Sequence, residues 1–402
     1  MLFFDAAAFF ANLLVLAVIV APLYRYTSSI ALRQVLMTAT GIVLLYHVAP
    51  RLILLYLMFW LVVVAAQKVM LHTRDWKWAT GVMWVCVLTL LAPMLTWKLF
   101  AVTFLPQLAW FLHSVVSELS LNIGFVDSHR SLMLPVGLSF ATFRALDLIL
   151  QTYLRSIGQI PIGHIMAYGF FPVLLPVGPI ATLQEVDFTH NATSEDVKIG
   201  LLRITIGFFK VFLLASLFQD WGNVFHSYDR PGWQLLISLV VFAFYFYLNF
   251  AGYSDIAIGT GRLFGMKLPE NFRWPLFRES PQQFWASWHV SLSRFAQRYI
   301  FASAGGYRRN RQSIALLATM MVIAWWHDLT LAWTLFGVYH GMGLAVHRWW
   351  SQNRPLLLAK HVGHLWYRAV SWAMLFSFVV MGFPIISMDP ASLPAFYGSL
   401  LK

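Results

Sequence analysis

Two histidines, thirteen positions apart, mark the part of this sequence that best fits proton-transfer chemistry. His327 and His340 lie in an apolar stretch in which Asp328 is the one formally charged residue between them. An ionisable side chain at membrane depth is energetically costly, so its presence there indicates a functional role facing a polar cavity. Imidazole also accepts and donates protons near neutral pH. We therefore expect the chemistry of this protein at these two positions.

The composition indicates a protein embedded in a membrane. Of the 402 residues, 59% are hydrophobic and 11% are charged, whereas soluble domains carry roughly 25% charged residues. Apolar runs long enough to cross a hydrocarbon core of ~30 Å recur along the sequence. The net charge of +12 fits basic cytoplasmic loops and contact with anionic lipid headgroups, and no nucleic-acid-binding motif is present. The single cysteine, Cys86, excludes an intrachain disulfide and a cysteine-based metal cluster.

The apolar segments predict an all-α, polytopic membrane protein with roughly ten or eleven transmembrane helices. No basic group precedes the first segment, so we expect it to remain as a membrane helix and not as a cleaved signal peptide. Segments 36–47 and 161–182 are interpreted as re-entrant or broken, which requires backbone facing protein or water. The predicted segments are 8–24, 36–47, 51–66, 79–95, 99–120, 132–154, 161–182, 199–218, 234–260, 284–302, 313–326, 330–349 and 366–388.

Two stretches depart from this apolar pattern. The polar stretch Gln184–Lys198 predicts an aqueous loop that leads into a helix, with an N-cap near Ser194. The basic and aromatic stretch Arg262–Arg311 favours helices lying in the membrane interface. No internal repeat or linker is evident, so we expect one membrane-embedded domain over residues 1–402. Several basic loops compete for the cytoplasmic side, and the orientation stays open.

Two clusters of polar and aromatic residues precede the histidines. Asn249-Phe250-Ala251-Gly252-Tyr253-Ser254-Asp255 places small, hydrogen-bonding and acidic groups after an apolar run, and the alternative is a helix end at which Gly252 relaxes the backbone. In Phe284-Trp285-Ala286-Ser287-Trp288-His289, both tryptophans share one helical face. The alternatives there are an interfacial tryptophan belt and a histidine satisfied by core contacts.

Taken in order, these motifs resemble the membrane-bound O-acyltransferase (MBOAT) family. The resemblance is carried by the Gly-Tyr-Ser-Asp of 252–255, the Trp-His of 288–289, the Trp-His of 326–327 and the Tyr-His-Gly of 339–341. Residues 134–143 and 170–179 fit the same pattern, so the likeness covers roughly 131–345. It is greatest to the bacterial branch of alginate O-acetylation proteins and teichoic acid D-alanyl transfer proteins. The chain ends at Lys402, sooner than alginate-type proteins tend to, which favours the D-alanyl branch.

The resemblance implies a bundle around a central funnel or tunnel, in a bacterial cytoplasmic membrane. A small acyl group, acetyl or D-alanyl, would pass from a cytoplasmic thioester to a hydroxyl outside. The donor would be the phosphopantetheine of an acyl carrier protein, or acyl-CoA, and no permanently bound cofactor or metal is expected. The acceptor would be a cell-envelope glycopolymer or a relay protein. The bilayer and the carrier protein are thus the expected partners, and basic residues such as Arg294, Arg298 and 308–311 would dock an acidic carrier or contact lipid headgroups.

The resemblance also assigns roles to particular residues. His340 matches the family's catalytic histidine, and His327 and His289 are expected to line the same cavity. Further tunnel or oxyanion candidates come from the same motifs: Asn249, Tyr253, Ser254, Asp255, Trp285, Trp288, Ser293, Trp326 and Tyr339. Two positions depart from the family pattern, because Asn249 replaces an acidic residue and Asp328 replaces a glycine.

Elementary chemistry agrees with these roles. Attack of a hydroxyl on a thioester needs a base to remove its proton, and a desolvated, neutral histidine suits this task. A covalent route through His340 or through a serine of the motifs (Ser254, Ser287, Ser291 or Ser293) is the alternative, although no Gly-x-Ser-x-Gly elbow is present. Two other function classes stay open, a proton-coupled transporter or flippase and a non-catalytic scaffold.

Overall fold

The computed structural model describes residues 6–48, 50–101, 137–175, 178–222, 230–355, 358 and 360–401. Within these ranges the regular elements are helices, and one isolated β-bridge joins Phe272 and Trp288. The α-helices are α1 (Ala6–Tyr26), α2 (Ile30–Val48), α3 (Ile53–Thr73), α4 (Ala79–Ala101), α5 (Leu138–Tyr153), α6 (Ile162–Gly169), α7 (Ser194–Phe208), α8 (Ser216–Gly222), α9 (Gly232–Leu263), α10 (Pro281–Trp285), α11 (Val290–Ala296), α12 (Gln312–His327), α13 (Leu331–Asn353), α14 (Leu365–Ser387) and α15 (Leu393–Ser399).

Seven helices of the described part are long and apolar enough to cross a membrane, which confirms the polytopic all-α fold. They are Phe9–Tyr26, Ile30–His47, Ile53–Thr73, Ala79–Thr96, Ser194–Gly222, Gly232–Leu263 and Leu365–Ser387. The shorter α12 is also apolar. The fifth of these, Ser194–Gly222, runs through α7, a π-helical segment (Phe209–Ala215) and α8 without a break in the helix. Most of the predicted segment 99–120, and residues 134–136 of the family-like pattern, lie outside the described residues.

Helix α2 differs from its interpretation in the sequence analysis. The interpretation of 36–47 as a short or broken segment is wrong, because α2 is continuous from Ile30 to Val48. The helix includes Arg33, which precedes the predicted segment. Its side chain is buried and donates hydrogen bonds to the carbonyl oxygens of Thr27, Phe188 and Thr189. Because the guanidinium is satisfied, the charge is tolerated inside the helix.

The prediction that 161–182 is broken is confirmed. α6 ends at Gly169, and a single 3₁₀ turn follows at Pro172–Leu174. The fully buried Arg144 of α5 donates to the carbonyl oxygens of Tyr168 and Gly169, at 2.6 Å and 3.2 Å. These are the terminal carbonyls of α6 that have no partner within the helix. Arg144 therefore stabilises the point where the helix stops.

The predicted N-cap near Ser194 is confirmed to within one residue, whereas the alternative that Gly252 ends a helix is wrong. Thr193 caps α7, because its hydroxyl accepts a hydrogen bond from the Asp196 backbone N–H and the Asp196 carboxylate accepts one from the Thr193 backbone N–H. This is the reciprocal arrangement of a capping box. Gly252 does not end a helix, since α9 is continuous to Leu263. A Cβ atom at Gly252 would lie 2.8 Å from the carbonyl oxygen of Gly207, so this glycine permits close helix contact and not a turn.

The described residues fall into two compact units. The first unit combines residues 1–205 with 255–269, and the second unit combines 206–254 with 270–402. The long helices α7 and α9 each contribute residues to both units. All three candidate histidines belong to the second unit. The single domain inferred from the sequence stays a prediction.

Candidate active site

An antiparallel hairpin of α12 and α13 fixes the position of His340. The turn begins where Asp328 ends α12 and accepts a hydrogen bond from the Leu329 backbone N–H. Thr330 then caps α13 by accepting from the backbone N–H of Trp333. Gly337 of α13 permits close packing, because a Cβ atom there would lie 3.0 Å from the Cβ of Ala324 on α12. The hairpin thus sets which face of α13 points away from α12.

His340 is almost completely enclosed by aromatic rings. Its side chain lies in the second unit with the residue 2% exposed. The surrounding rings come from α10, α13 and α14, and their centroids lie 4.3 Å (Phe336), 5.2 Å (Phe378), 5.3 Å (Trp285), 5.3 Å (Tyr339) and 6.4 Å (Phe284) from the imidazole centroid. Phe336, Trp285, Tyr339 and Phe378 are only partly buried. These rings therefore stand between the imidazole and the surface of the unit.

Two buried nitrogen atoms in this cage make no hydrogen bond. They are Nδ1 of His340 and Nε1 of Trp285. Buried polar atoms normally have partners, so unpartnered ones call for an explanation. The hydroxyl of Tyr339, by contrast, has a hydrogen-bond partner, because it donates to the carbonyl oxygen of Phe378 at 2.8 Å. The structure therefore concentrates unused hydrogen-bonding capacity around His340.

The backbone of α14 approaches the other side of the imidazole. A Cβ atom built on Gly382 would lie 3.2 Å from Nε2 of His340, which is closer than side chains normally allow. Gly382 therefore creates the room that Nε2 occupies. Behind this layer Trp288 stacks on Phe246 with the ring planes 3° apart and on Phe284 at 16°. The upstream tryptophans Trp285 and Trp288 thus belong to the same group of contacting aromatic rings as His340.

His327 and His289 form a second group around Trp326. His327 is exposed and stacks on Trp333 at 4.3 Å, and its ring centroid lies 4.4 Å from that of Trp326. His289 lies 6.2 Å from Trp326 and is 6% exposed. It adopts a left-handed backbone conformation (φ 43°), which is uncommon for a non-glycine residue. His289 lies between α10 and α11, outside the candidate spans, and burial lowers its pKa to about 4.

A series of rings joins the two groups. Trp333 contacts Phe336 at 5.4 Å, and Phe336 contacts His340 at 4.3 Å. Trp333, Phe336 and His340 are spaced by three and four residues, so they follow one face of α13. His327 and His340 are therefore linked by contact through Trp333 and Phe336.

The candidate serines serve the fold of the loop before α11. The amide of Asn271 donates to the Ser254 hydroxyl at 3.3 Å, and its carbonyl oxygen accepts from the Ser291 hydroxyl at 2.6 Å. The Ser293 hydroxyl donates to the carbonyl oxygen of Trp285 at 2.8 Å. Ser287 is buried. Three of the four hydroxyls are thus engaged in contacts that shape the chain around His289.

The remaining candidates lie on α9. Asp255 belongs to the first unit, where it accepts a hydrogen bond from Nε of Arg203 at 3.0 Å. Tyr253 is buried. Asn249 belongs to the second unit, and its side-chain oxygen is a buried acceptor with no hydrogen-bond partner. Within the second unit the structure therefore brings together His340, Trp285 and Tyr339, with Trp288 behind them.

The sequence reasoning missed several residues of the cage. Trp333 and Phe336 carried a usable signal, because they lie seven and four residues before His340 on one helical face. Phe378 and Gly382 carried none, since nothing in the sequence pairs α14 with α13. Asp328 proves to be a helix-end residue whose carboxylate accepts from the next backbone N–H.

Comparison with known proteins identifies the family. Residues 129–388 match the sequence profile described as MBOAT, membrane-bound O-acyltransferase family. The chain belongs to this family. The matched range contains the histidine hairpin, α14 and the complete aromatic cage, so the geometry above is that of a family member.

Several named relatives share this region of the chain. A protein named Probable alginate O-acetylase from Pseudomonas aeruginosa is 29% identical over 66% of this chain and 50% of its own length. A teichoic acid D-alanyltransferase from Streptococcus thermophilus is 25% identical over 69% of this chain and 75% of its own length. A peptidoglycan O-acetyltransferase from Helicobacter pylori is 28% identical over 55% of this chain and 48% of its own length. The chain thus spans about half the length of the O-acetylating relatives.

The relatives rank differently by sequence identity and by the share of their length that is covered. Identity is higher to the O-acetylating proteins, whereas a larger share of the D-alanyltransferase is covered. The preference for the D-alanyl branch that the sequence length suggested therefore stays a prediction.

Proposed function

We propose that this protein is a membrane O-acyltransferase that moves a small acyl group, acetyl or D-alanyl, from a thioester to a hydroxyl. The donor is the phosphopantetheine thioester of an acyl carrier protein or acyl-CoA on the cytoplasmic side. The acceptor is a hydroxyl of a cell-envelope glycopolymer, or of a relay protein, on the other side of the bacterial cytoplasmic membrane. Family membership and the names of three kinds of relatives support this proposal.

The observation that carries the chemistry is the buried imidazole of His340. Its Nδ1 makes no hydrogen bond, and Gly382 leaves room beside Nε2. In the proposed reaction His340 accepts the proton of the hydroxyl as the hydroxyl oxygen attacks the thioester carbonyl. The thiol leaves and takes a proton. A positioned base of this kind contributes about 10²–10⁴-fold to the rate.

Trp285 is the best-placed donor for the oxyanion that forms during attack. Its Nε1–H is buried and unpartnered, and its ring centroid lies 5.3 Å from that of His340. A donor that is already desolvated and fixed in place stabilises developing charge without reorganising in the transition state. Trp288, Ser254, Asn249 and His327 remain the other candidates for this role, and His327 and His289 are proposed to line the substrate path.

Access to His340 requires a side chain to move, because the imidazole is enclosed. Phe336 and Trp285 are the partly exposed rings that contact it most closely on α13 and α10. The series His327–Trp333–Phe336 begins at the α12–α13 turn. We propose that the acceptor reaches His340 along this series, displacing the Phe336 ring. His340 lies nine residues into α13, or about 14 Å from that turn.

The charge distribution in the second unit supports an orientation. Arg348 donates to the carbonyl oxygen of Arg309, which places the loop before α12 beside the end of α13. This end carries the basic residues Arg308, Arg309, Arg311, Arg348, Arg354 and Lys360. The opposite end carries Asp328 and Asp389, together with Arg230. Positive loops favour the cytoplasmic side, so we propose that the basic end faces the cytoplasm and docks the acidic carrier or anionic lipid.

Reconstitution of the purified protein tests the proposed reaction. Proteoliposomes would receive a labelled acetyl or D-alanyl thioester on one side and a hydroxyl-bearing glycan on the other. The proposal predicts a labelled ester on the glycan and free thiol on the donor side. Label that crosses the bilayer without ester formation would instead favour a transporter. Acid quenching during turnover would trap a protein-bound acyl group if the covalent route operates.

Cysteine labelling tests the orientation. Replacing Cys86 with Ser gives a cysteine-free background, in which Asn310→Cys marks the basic loop and Ala391→Cys marks the opposite end. Both positions are exposed. A membrane-impermeant maleimide should label A391C in intact spheroplasts and N310C only after permeabilisation. The reverse pattern would overturn the proposed orientation.

A further inference from the structure

The same eight-residue pattern occurs in two helices of the first unit. α7 contains Asp196, Gly200 and Arg203, and α9 contains Asp255, Gly259 and Arg262. In both helices the glycine follows the aspartate by four residues, and the arginine follows the glycine by three. Residues at these spacings lie on one face of a helix. Each helix therefore carries an aspartate, a glycine and an arginine in the same order along one face, and we call this line of three residues a stripe.

These two stripes face each other in antiparallel order. Arg262 donates to the Asp196 carboxylate at 2.8 Å, and Arg203 donates to the Asp255 carboxylate through Nε at 3.0 Å and also through Nη2. Each aspartate thus binds the arginine of the other helix. The side chains are largely removed from solvent, with exposed fractions of 11% for Asp196 and 10% for Asp255.

The glycines meet between the two ion pairs. A Cβ atom on Gly259 would lie 2.7 Å from the carbonyl oxygen of Gly200, and one on Gly200 would lie 2.8 Å from the carbonyl oxygen of Gly259. Glycine at such a crossing lets helix backbones approach closely in a membrane. The two ion pairs therefore flank a direct backbone contact.

This arrangement is sensitive to register. The Asp196–Arg262 pair joins the first turn of α7 to the last turn of α9, where an acid and a base each complement the helix dipole. The Arg203–Asp255 pair lies seven residues further along α7, about 10 Å deeper into both candidate spans. Sliding one helix by a residue or a turn separates both pairs and moves the glycines apart. Specifying register is the best-attested role of buried polar groups.

We propose that Asp196, Arg203, Asp255 and Arg262 form a reciprocal clamp that sets the register of α7 against α9, with Asp255 as a positioning residue. Asp255 was a tunnel or oxyanion candidate on its motif alone. The clamp gives it a different task, which is to neutralise Arg203 inside the membrane. The predicted effect on stability is independent of the proposed acyltransferase function, whereas the predicted effect on activity rests on that function.

Neutral substitutions test the clamp against a matched surface pair. Asp255→Asn and Asp196→Asn each remove the negative charge that faces an arginine on the other helix. Asp75→Asn is the control, because Asp75 pairs with Arg155 in the same unit with both side chains about two-thirds exposed. The clamp predicts a clear fall in Tm of the purified full-length protein for D255N and a smaller one for D196N. A Tm unchanged in D255N, as expected for D75N, would overturn the proposal.

A charge swap separates positioning from chemistry. The double variant Arg203→Asp with Asp255→Arg gives the pair the polarity that Asp196 and Arg262 already have, with the acid on α7 and the base on α9. We expect the swap to recover most of the Tm lost in the single variants. We also expect it to recover kcat, with KM for the thioester unchanged. Recovery of Tm without recovery of transfer would assign Asp255 a chemical role and overturn its positioning role.

The contact between Gly200 and Gly259 provides an independent test of the clamp. Gly259→Ala should lower Tm, whereas Gly81→Ala in α4 should not, because a Cβ atom at Gly81 meets no other atom within 4 Å. An equal response of the two variants would contradict the backbone contact. If the wild-type protein transferred no acyl group, the Tm comparisons would still decide the clamp, so its failure and the failure of the proposed function are distinguishable.

Discussion

The His340 cage and the α7–α9 clamp differ in whether their buried polar groups have partners. In the clamp each ionised side chain meets an opposite charge on the facing helix. In the cage the imidazole Nδ1 and the Trp285 Nε1 are buried without a hydrogen-bond partner. A satisfied buried network rigidifies a fold, whereas an unsatisfied buried group costs free energy that folding alone does not repay. We infer that the paired groups stabilise the fold and that the unpaired groups remain available for the proposed reaction.

The largest expected contrast is between His340 and Arg203. Arg203→Leu removes the positive charge that faces the largely buried Asp255 carboxylate, and breaking a buried ion pair typically costs about 3–5 kcal/mol of stability. His340→Gln removes no hydrogen bond and keeps a polar side chain of similar size. We therefore expect R203L to lose folded protein, measured by Tm and monodispersity, and H340Q to keep both. A comparable loss of Tm in the two variants would contradict the view that Arg203 stabilises the fold and His340 does not.

Gly382→Ala should impair the cage without breaking it. The added Cβ atom would stand 3.2 Å from Nε2 of His340, so the imidazole or α14 must shift by a few tenths of an ångström. Displacement of a reacting group by ~1 Å costs about 10²-fold in rate, and we expect a smaller loss in kcat here. The matched control is Gly398→Ala, since a Cβ atom at Gly398 meets nothing within 4 Å. Full activity in G382A would mean that Nε2 does not need this space.

Phe336→Ala should open the cage. Complete burial of a phenylalanine makes its loss cost about 3–5 kcal/mol, and Phe336 is only partly buried, so we expect a smaller loss of stability. The rate at which diethyl pyrocarbonate modifies His340, measured by peptide mass spectrometry, should increase. Phe284→Ala is the comparison, because Phe284 is buried behind the imidazole. If neither variant changes the modification rate, Phe336 does not limit access.

The smallest expected effect concerns the basic end of the second unit. Arg308→Glu combined with Arg309→Glu should raise KM for an acidic carrier donor by about tenfold at low salt, and less at high salt, because steering by surface charge is screened. Arg230→Glu is the control at the opposite end, where the neighbouring Gly232 adjoins the carbonyl oxygen of Leu400. Equal effects of both substitutions would remove the carrier-docking role from the basic end.

The sequence predicted features that depend on neighbours along the chain. Apolar length predicted the spans, and the broken segment at 161–182 followed from its prolines. The family resemblance named Trp285 and Tyr339 as candidates for the same site as His340, and both rings contact its imidazole. The apolar spans and the broken segment needed only composition, which is a property of a single segment.

Contacts between distant segments escaped the sequence analysis. Arg203 and Asp255 lie 52 positions apart, and nothing in either helix alone indicates that the two eight-residue stripes face each other. A helix end at Gly252 stayed open as an alternative, because glycine between polar residues fits a C-cap as well as it fits a helix crossing. Segment 36–47 was interpreted as re-entrant or broken, since the carbonyl partners that satisfy Arg33, at Phe188 and Thr189, are 155 and 156 positions away from it. Tertiary contacts decided all of these cases.

The central claim is that the His340 imidazole removes the proton from the incoming hydroxyl. The most direct test is a single-turnover measurement of acyl transfer from a saturating labelled thioester, comparing the wild type with H340Q and with the exposed-histidine control His364→Gln. The account predicts a transfer rate lower by about 10²–10⁴-fold in H340Q, with an unchanged Tm and an unaffected control. Transfer by folded H340Q at the wild-type rate would contradict it.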